Sequence, residues 1–152
     1  MKTKSLFFGL LLSSSMAVAQ NTSNMSSNPL LQPFDTPHQT APYDKIKPEH
    51  FLPALKEAMA QGKKEIDAIV DNKAKPTFEN TIIALEQGGE NVGKVSSILF
   101  HLNGAETNPE IQKTVREASP LLTEYGNDIT LNDKLFARVK AVWDQRDKLK
   151  LD

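Results

Sequence analysis

From residue 48 onward, apolar side chains return every three or four positions, and no run alternates with period two long enough to make a strand. That regularity confines the chain to helices packed on helices. The sharpest start is Pro76-Thr77-Phe78-Glu79-Asn80-Thr81-Ile82-Ile83-Ala84-Leu85-Glu86. Pro76 holds Lys75 away from helical angles, Thr77 can accept a bond from an unpaired first-turn N–H, and Glu79 lies where the helix dipole favours an anion. Phe78, Ile82 and Leu85 then share a face, with Ile83 and Glu86 flanking it.

Four further stretches carry the same spacing. Before the capped helix, Phe51, Leu55, Met59, Ile66, Ile69 and Val70 mark one side and Lys56, Lys63 and Asp67 the other. Pro53 is tolerated only in a first turn or at a kink, so the regular helix is expected from about Leu52; Gly62 weakens its middle by about 1 kcal/mol relative to alanine. Asp71 to Pro76 is a turn, and Gly88-Gly89 is a stop or break. Val92, Val95, Leu99 and Leu102 follow as far as Asn103-Gly104. Asn108 caps the next helix with Pro109 at its first position; its apolar line is Ile111, Val115, Ala118, Leu122 and Tyr125. Pro120 should bend or split that helix, and Gly126-Asn127-Asp128 should break it or loosen its end. Asn132 or Asp133 caps the last, whose apolar side is Leu135, Phe136, Val139, Val142, Trp143 and Leu149. The fold class is all-α: about five helices joined by short turns as antiparallel hairpins.

Ahead of the helices, Pro29, Pro33, Pro37, Pro42 and Pro48 forbid a regular helix, while Leu30, Leu31, Phe34, Tyr43 and Ile46 argue against a free linker. The reading is an extended arm laid over the helical body and anchored by Phe34 and Tyr43. Residues 20–28 are polar and short-sided and read as a flexible leader. Residues 1–19 have the form of a secretory signal: Lys2 and Lys4, the apolar run Leu6 to Leu12, and small residues Ala17-Val18-Ala19 before Gln20. That run is too short for a bilayer of about 30 Å. The expectation is an exported protein, periplasmic or secreted, with no membrane anchor after cleavage. Losing Lys2 and Lys4 moves the formal charge from −1 to −3, which gives no reason to invoke nucleic acid. With no cysteine, disulfides and thiolate metal sites are excluded. Residues 29–152 suit one helical domain; its end at Asp152, straight after the helix carrying Trp143, leads us to expect an incomplete one.

Chemistry is sparse. His38, His50 and His101 are the only imidazoles; Glu49 precedes His50, but Ala54 stands where a helical His-Glu-x-x-His zinc site would need its second histidine. Glu57, Glu65, Glu90, Glu110, Glu117 and Glu124 fit solvated helix faces. There is no Gly-x-Ser-x-Gly and no glycine-rich phosphate loop. No catalytic, cofactor-binding or metal-binding residue is assigned.

Two stretches resemble the N-terminal region of the thimet-oligopeptidase-like zinc metallopeptidases, above all their bacterial peptidyl-dipeptidase and oligopeptidase A branches. One is Asn28-Pro29-Leu30-Leu31 with Pro33-Phe34 and Thr36-Pro37, continuing from Ala41 through Pro48-Glu49-His50-Phe51. The other runs from Glu65 to Val70 and on through Pro76-Thr77-Phe78-Glu79-Asn80-Thr81-Ile82 to Ala84-Leu85-Glu86, with Val95-Ser96-Ser97 and Ala105 to Asn108 in register. The resemblance implies an all-helical enzyme with a deep channel that removes dipeptides from the C-termini of short peptides. It also implies a zinc held by a His-Glu-x-x-His helix and a later glutamate, none of which this sequence contains. The implied role is therefore that of early helices walling a channel, with a C-terminal catalytic domain as the missing partner and some of Phe100, Phe136 and Trp143 facing it. The alternative is a free-standing exported helical module, an inhibitor or scaffold that binds peptides or proteins without catalysis.

Overall fold

A computed structural model describes residues 28–149. The signal-like segment and most of the polar leader lie outside the described residues. Those described form helices and connecting turns with no strand. The helices are α1 (Pro48–Val70), a π-helical turn (Phe78–Ile83) that passes into the short α2 (Ala84–Gln87), α3 (Glu90–Ala105), α4 (Pro109–Thr130) and α5 (Asp133–Trp143).

Caps set most boundaries where the sequence places them. Asn108 Oδ1 accepts from Ile111 N–H at 2.9 Å, and Asn132, rather than Asp133, accepts from Leu135 N–H at 3.0 Å. Gly89 enters α3 with φ +73°, a conformation costly for any residue with a Cβ. The prolines are tolerated better than expected. Helix α1 starts at Pro48 and runs through Pro53, and α4 runs unbroken through Pro120 and Gly126 to Thr130. Both internal prolines are exposed, as are Glu49 and Arg116 four residues before them, so water can satisfy each carbonyl that loses its helical donor.

Helices α1, α3 and α4 reverse direction in turn. Gln61 and Asn91 side chains meet at 3.1 Å and Glu65 reaches Gly89, so α3 runs back along α1. Lys63 pairs with Asp128 near the C-terminal ends of α1 and α4, while Glu49 and Glu110 share a cleft at their starts. Those two helices therefore run the same way, with α3 reversed between them in sequence. Their main core contains Phe51, Ala54, Leu55, Ala58, Val92, Val95, Leu99, Ile111, Ala118 and Tyr125. A smaller second core of Ile66, Ile69 and Leu135 joins the end of α1 to α5.

The proline-rich segment is an arm on this body, though held differently from expectation. It winds into two 3₁₀ turns, Pro29–Leu31 and Pro37–Gln39, and a further turn at residues 43–45 where Lys45 N–H donates to Pro42 O. Its anchor is Leu30, fully buried in the main core; Phe34 and Ile46 are only half-buried and Tyr43 is exposed. Asn28 locks this end, accepting from Leu30 N–H and donating through Nδ2 to His50 O at 2.8 Å. Tyr43 lies against the His101 ring with centroids 6.2 Å apart, and the Lys94 ammonium sits 5.1 Å from the Phe34 centroid.

Candidate functional site

The largest departure from helical expectation lies at the stretch following Pro76. Thr77 does cap it: Asn80 N–H donates to Thr77 Oγ1 at 3.2 Å, and Thr77 N–H donates to Asn80 Oδ1 at 2.9 Å. The following residues wind as a π-helix, which advances each side chain by a smaller angle than an α-helix. The face is rotated as a result. Thr81 is fully buried, whereas Phe78, Ile82 and Leu85, expected inside, are half-buried. Glu79 stays exposed, and a backbone N–H with the Thr77 hydroxyl holds its carboxyl below the ordinary carboxylate range.

Asn80 is the hub of this turn. Its Oδ1 also accepts from Thr81 Oγ1 at 2.9 Å and from an Arg138 guanidinium nitrogen at 3.2 Å, and its Nδ2 donates to Lys75 O at 2.9 Å. Arg138 comes from α5, is 9% exposed, and donates to Asn72 O at 2.7 Å. A second, longer bond of 3.4 Å reaches Ala74 O. Among the described residues no carboxylate is paired with it. The counter-charge is the negative end of the α1 dipole and the carbonyls of the turn after it. Arg138 Nε is buried without a partner among the described residues.

Asn72 and Asn80 of this network line an open cleft of about 450 Å³ together with Glu65, Ala68, Ile69, Ala84, Gln87 and Gly88. Ala68, Ile69 and Ala84 give it an apolar floor. Glu65 does not lie on a purely solvated face as its spacing suggested: its Oε2 accepts from Gly89 N–H at 2.8 Å and places a carboxylate at the start of α3. Beside it, Tyr125 of α4 lays its hydroxyl against Gly62 and Gly89. Burial first, and the Glu65 charge second, push that phenol above its ordinary pKa. The side-chain amides suit hydrogen bonding to a peptide main chain. A second line of three cavities, about 470, 240 and 190 Å³, follows the seam between α1 and α4 from Pro48 to Asn132.

The imidazoles are not brought together. His38 lies in the second 3₁₀ turn with φ +58°. His50 Nδ1 accepts from Lys47 N–H at 3.1 Å, closing the first turn of α1, and His101 faces Tyr43. Among the described residues, no three His, Asp or Glu side chains converge as metal ligands. The described donors therefore do not assemble the zinc site that the resemblance implies. No described helix is long and apolar enough to cross a membrane. Sequence reasoning passed over Asn72, Asn80, Gln87 and Arg138. Only the Thr77–Asn80 spacing, three residues apart at a helix start, could have marked one of them.

No family model matches the chain. Over 128 residues, 84% of the chain, it is 46% identical to a dipeptidyl carboxypeptidase of Salmonella typhimurium, of which the match covers 19%. A dipeptidyl carboxypeptidase of Escherichia coli is 45% identical over 125 residues, 82% of the chain and 18% of that protein. Oligopeptidase A of Escherichia coli is 33% identical over 121 residues, 80% of the chain and 17% of that protein. The chain thus spans about a fifth of the length of the curated relatives it matches, in their N-terminal part.

Proposed function

Starting from a chain homologous to the N-terminal fifth of dipeptidyl carboxypeptidases and oligopeptidases A, we propose that it is the N-terminal helical region of an exported zinc peptidase that releases C-terminal dipeptides from short peptides. The observation that carries this reading is 46% identity over 128 residues, 84% of the chain. On this reading the bundle forms part of the wall of a substrate passage. The cavity lined by Ala68, Ile69 and Ala84 offers Asn72 and Gln87, and the second Nδ2 hydrogen of Asn80, to peptide main chain. Zinc chemistry belongs to polypeptide outside this chain, and no step of bond cleavage is assigned to any residue here.

The test is a graft. Residues 29–149 replace the matched segment of the Salmonella typhimurium dipeptidyl carboxypeptidase, and dipeptide release from a short peptide is followed. We expect kcat/KM within about tenfold of the parent, a change of about 1.4 kcal/mol in the activation barrier. A folded graft that releases no dipeptide, beside an active parent, would refute the reading.

A further inference from the structure

Helix α5 is held by one narrow face. Leu135 packs with Ile66 and Ile69, Val139 is half-buried against the same core, Arg138 reaches the turn after α1 and Asn80, and Val142 is buried too; beside this face stand Phe136 and Trp143, seven residues apart. Phe136 is 64% exposed and Trp143 63% exposed, on a helix of 11 residues. Both had been expected on the apolar side of this helix; the buried arc instead takes Arg138. Scattered single aromatics on a surface need no explanation, but two on one stripe of a short helix form a patch. Phe100, also exposed, lies on α3, an element that packs on α1 and α4, and so does not join them. The Arg146 guanidinium lies 4.6 Å from the Trp143 ring centroid and steadies one face of the indole. A held Trp beside an Arg is the composition of an interface anchor.

We infer that the Phe136–Trp143 stripe of α5 is the joint through which this helical body docks onto an apolar helix of the remaining four-fifths of a dipeptidyl-carboxypeptidase-like polypeptide. The inference rests on the proposed function. Area selects this occupant over a second copy of the chain. An 11-residue helix is about 16 Å long, and two aromatics bury about 150–250 Å² each. That is well short of the roughly 800 Å² per partner that a stable association of separate molecules needs. A polypeptide continuous with the chain meets no such threshold, because linkage supplies a high effective concentration.

Trp143 is the only tryptophan of the chain and reports its own surroundings. In the 152-residue chain alone its emission should be that of a largely water-exposed indole, readily quenched by acrylamide. A shielded Trp143 there would mean that a second copy or residues 1–27 already cover it, and would overturn the inference. Phe136→Ser with Trp143→Ser should leave the melting temperature of the chain alone unchanged. In the graft the same pair should cut kcat/KM about tenfold or more and lower the melting temperature by about 3 °C or more. An active graft indifferent to both changes would sink the joint and leave the peptidase reading standing. A folded but inactive graft that the pair still destabilises would sink the peptidase reading and leave the joint.

Discussion

Gly62 is the residue whose position looked least favourable and is best explained by contacts. A glycine in mid-helix costs about 1 kcal/mol relative to alanine, and the sequence offers no return for it. In the fold the Tyr125 hydroxyl fills the space that a Cβ at position 62 would take, and the same hydroxyl leans on Gly89. Two glycines on two elements thus let one tyrosine lock α1, α3 and α4 together. Gly62→Ala should therefore destabilise despite its better helix propensity, by about 1–3 kcal/mol from overpacking. Adding Tyr125→Phe should restore part of the loss. Urea denaturation midpoints decide it, and a Gly62→Ala chain more stable than the parent would dismiss the lock.

At the scale of elements, α5 and the turn after α1 are fastened by one cation. The Arg138 fork donates to Asn72 O, Ala74 O and Asn80 Oδ1. It thereby ties the C-terminal end of α1, the π turn and α5 into one unit. Replacing it with methionine keeps an apolar stem of similar length and leaves those oxygens without donors. We expect Arg138→Met to lose about 2 kcal/mol, even though it removes the unpartnered Nε. Arg138→Lys should recover little, since an ammonium is a point donor and cannot reproduce the planar fork. A methionine variant with an unchanged denaturation midpoint would show that the fork merely fills space.

For the whole molecule, the arm is fastened to the helical body at its start. Leu30 enters the main core, and Asn28 ties the arm to the first turn of α1. The segment ahead of it bears on destination. Residues 1–19 have the form of a secretory signal, and export is part of the proposed function. Expressed with its intact N-terminus in a bacterial host, the chain should be recovered from the periplasm or medium beginning at Gln20. Large charged residues at Ala17 and Ala19 should block that processing. N-terminal sequencing that finds Lys2 and Lys4 retained on exported protein would refute cleavage at this point.

Helix class, most caps and the main buried lines were legible in the chain, because spacing and capping chemistry act within a few residues. Asn108, Asn132, Thr77 and the Phe51–Ile69 line needed no partner to be recognised. The uninterrupted passage through Pro53 and Pro120, the rotation that buries Thr81, and the arm's anchorage by Leu30 needed the assembled molecule. So did the exchange on α5, where Arg138 turns inward and Phe136 and Trp143 outward. Each depends on what the assembled molecule exposes or brings together: a carbonyl left facing solvent, a guanidinium reaching oxygens 58 to 66 residues away, a tyrosine needing two glycines. Local periodicity says that a side chain is apolar. Only packing says which apolar face is already taken and which is left for another surface.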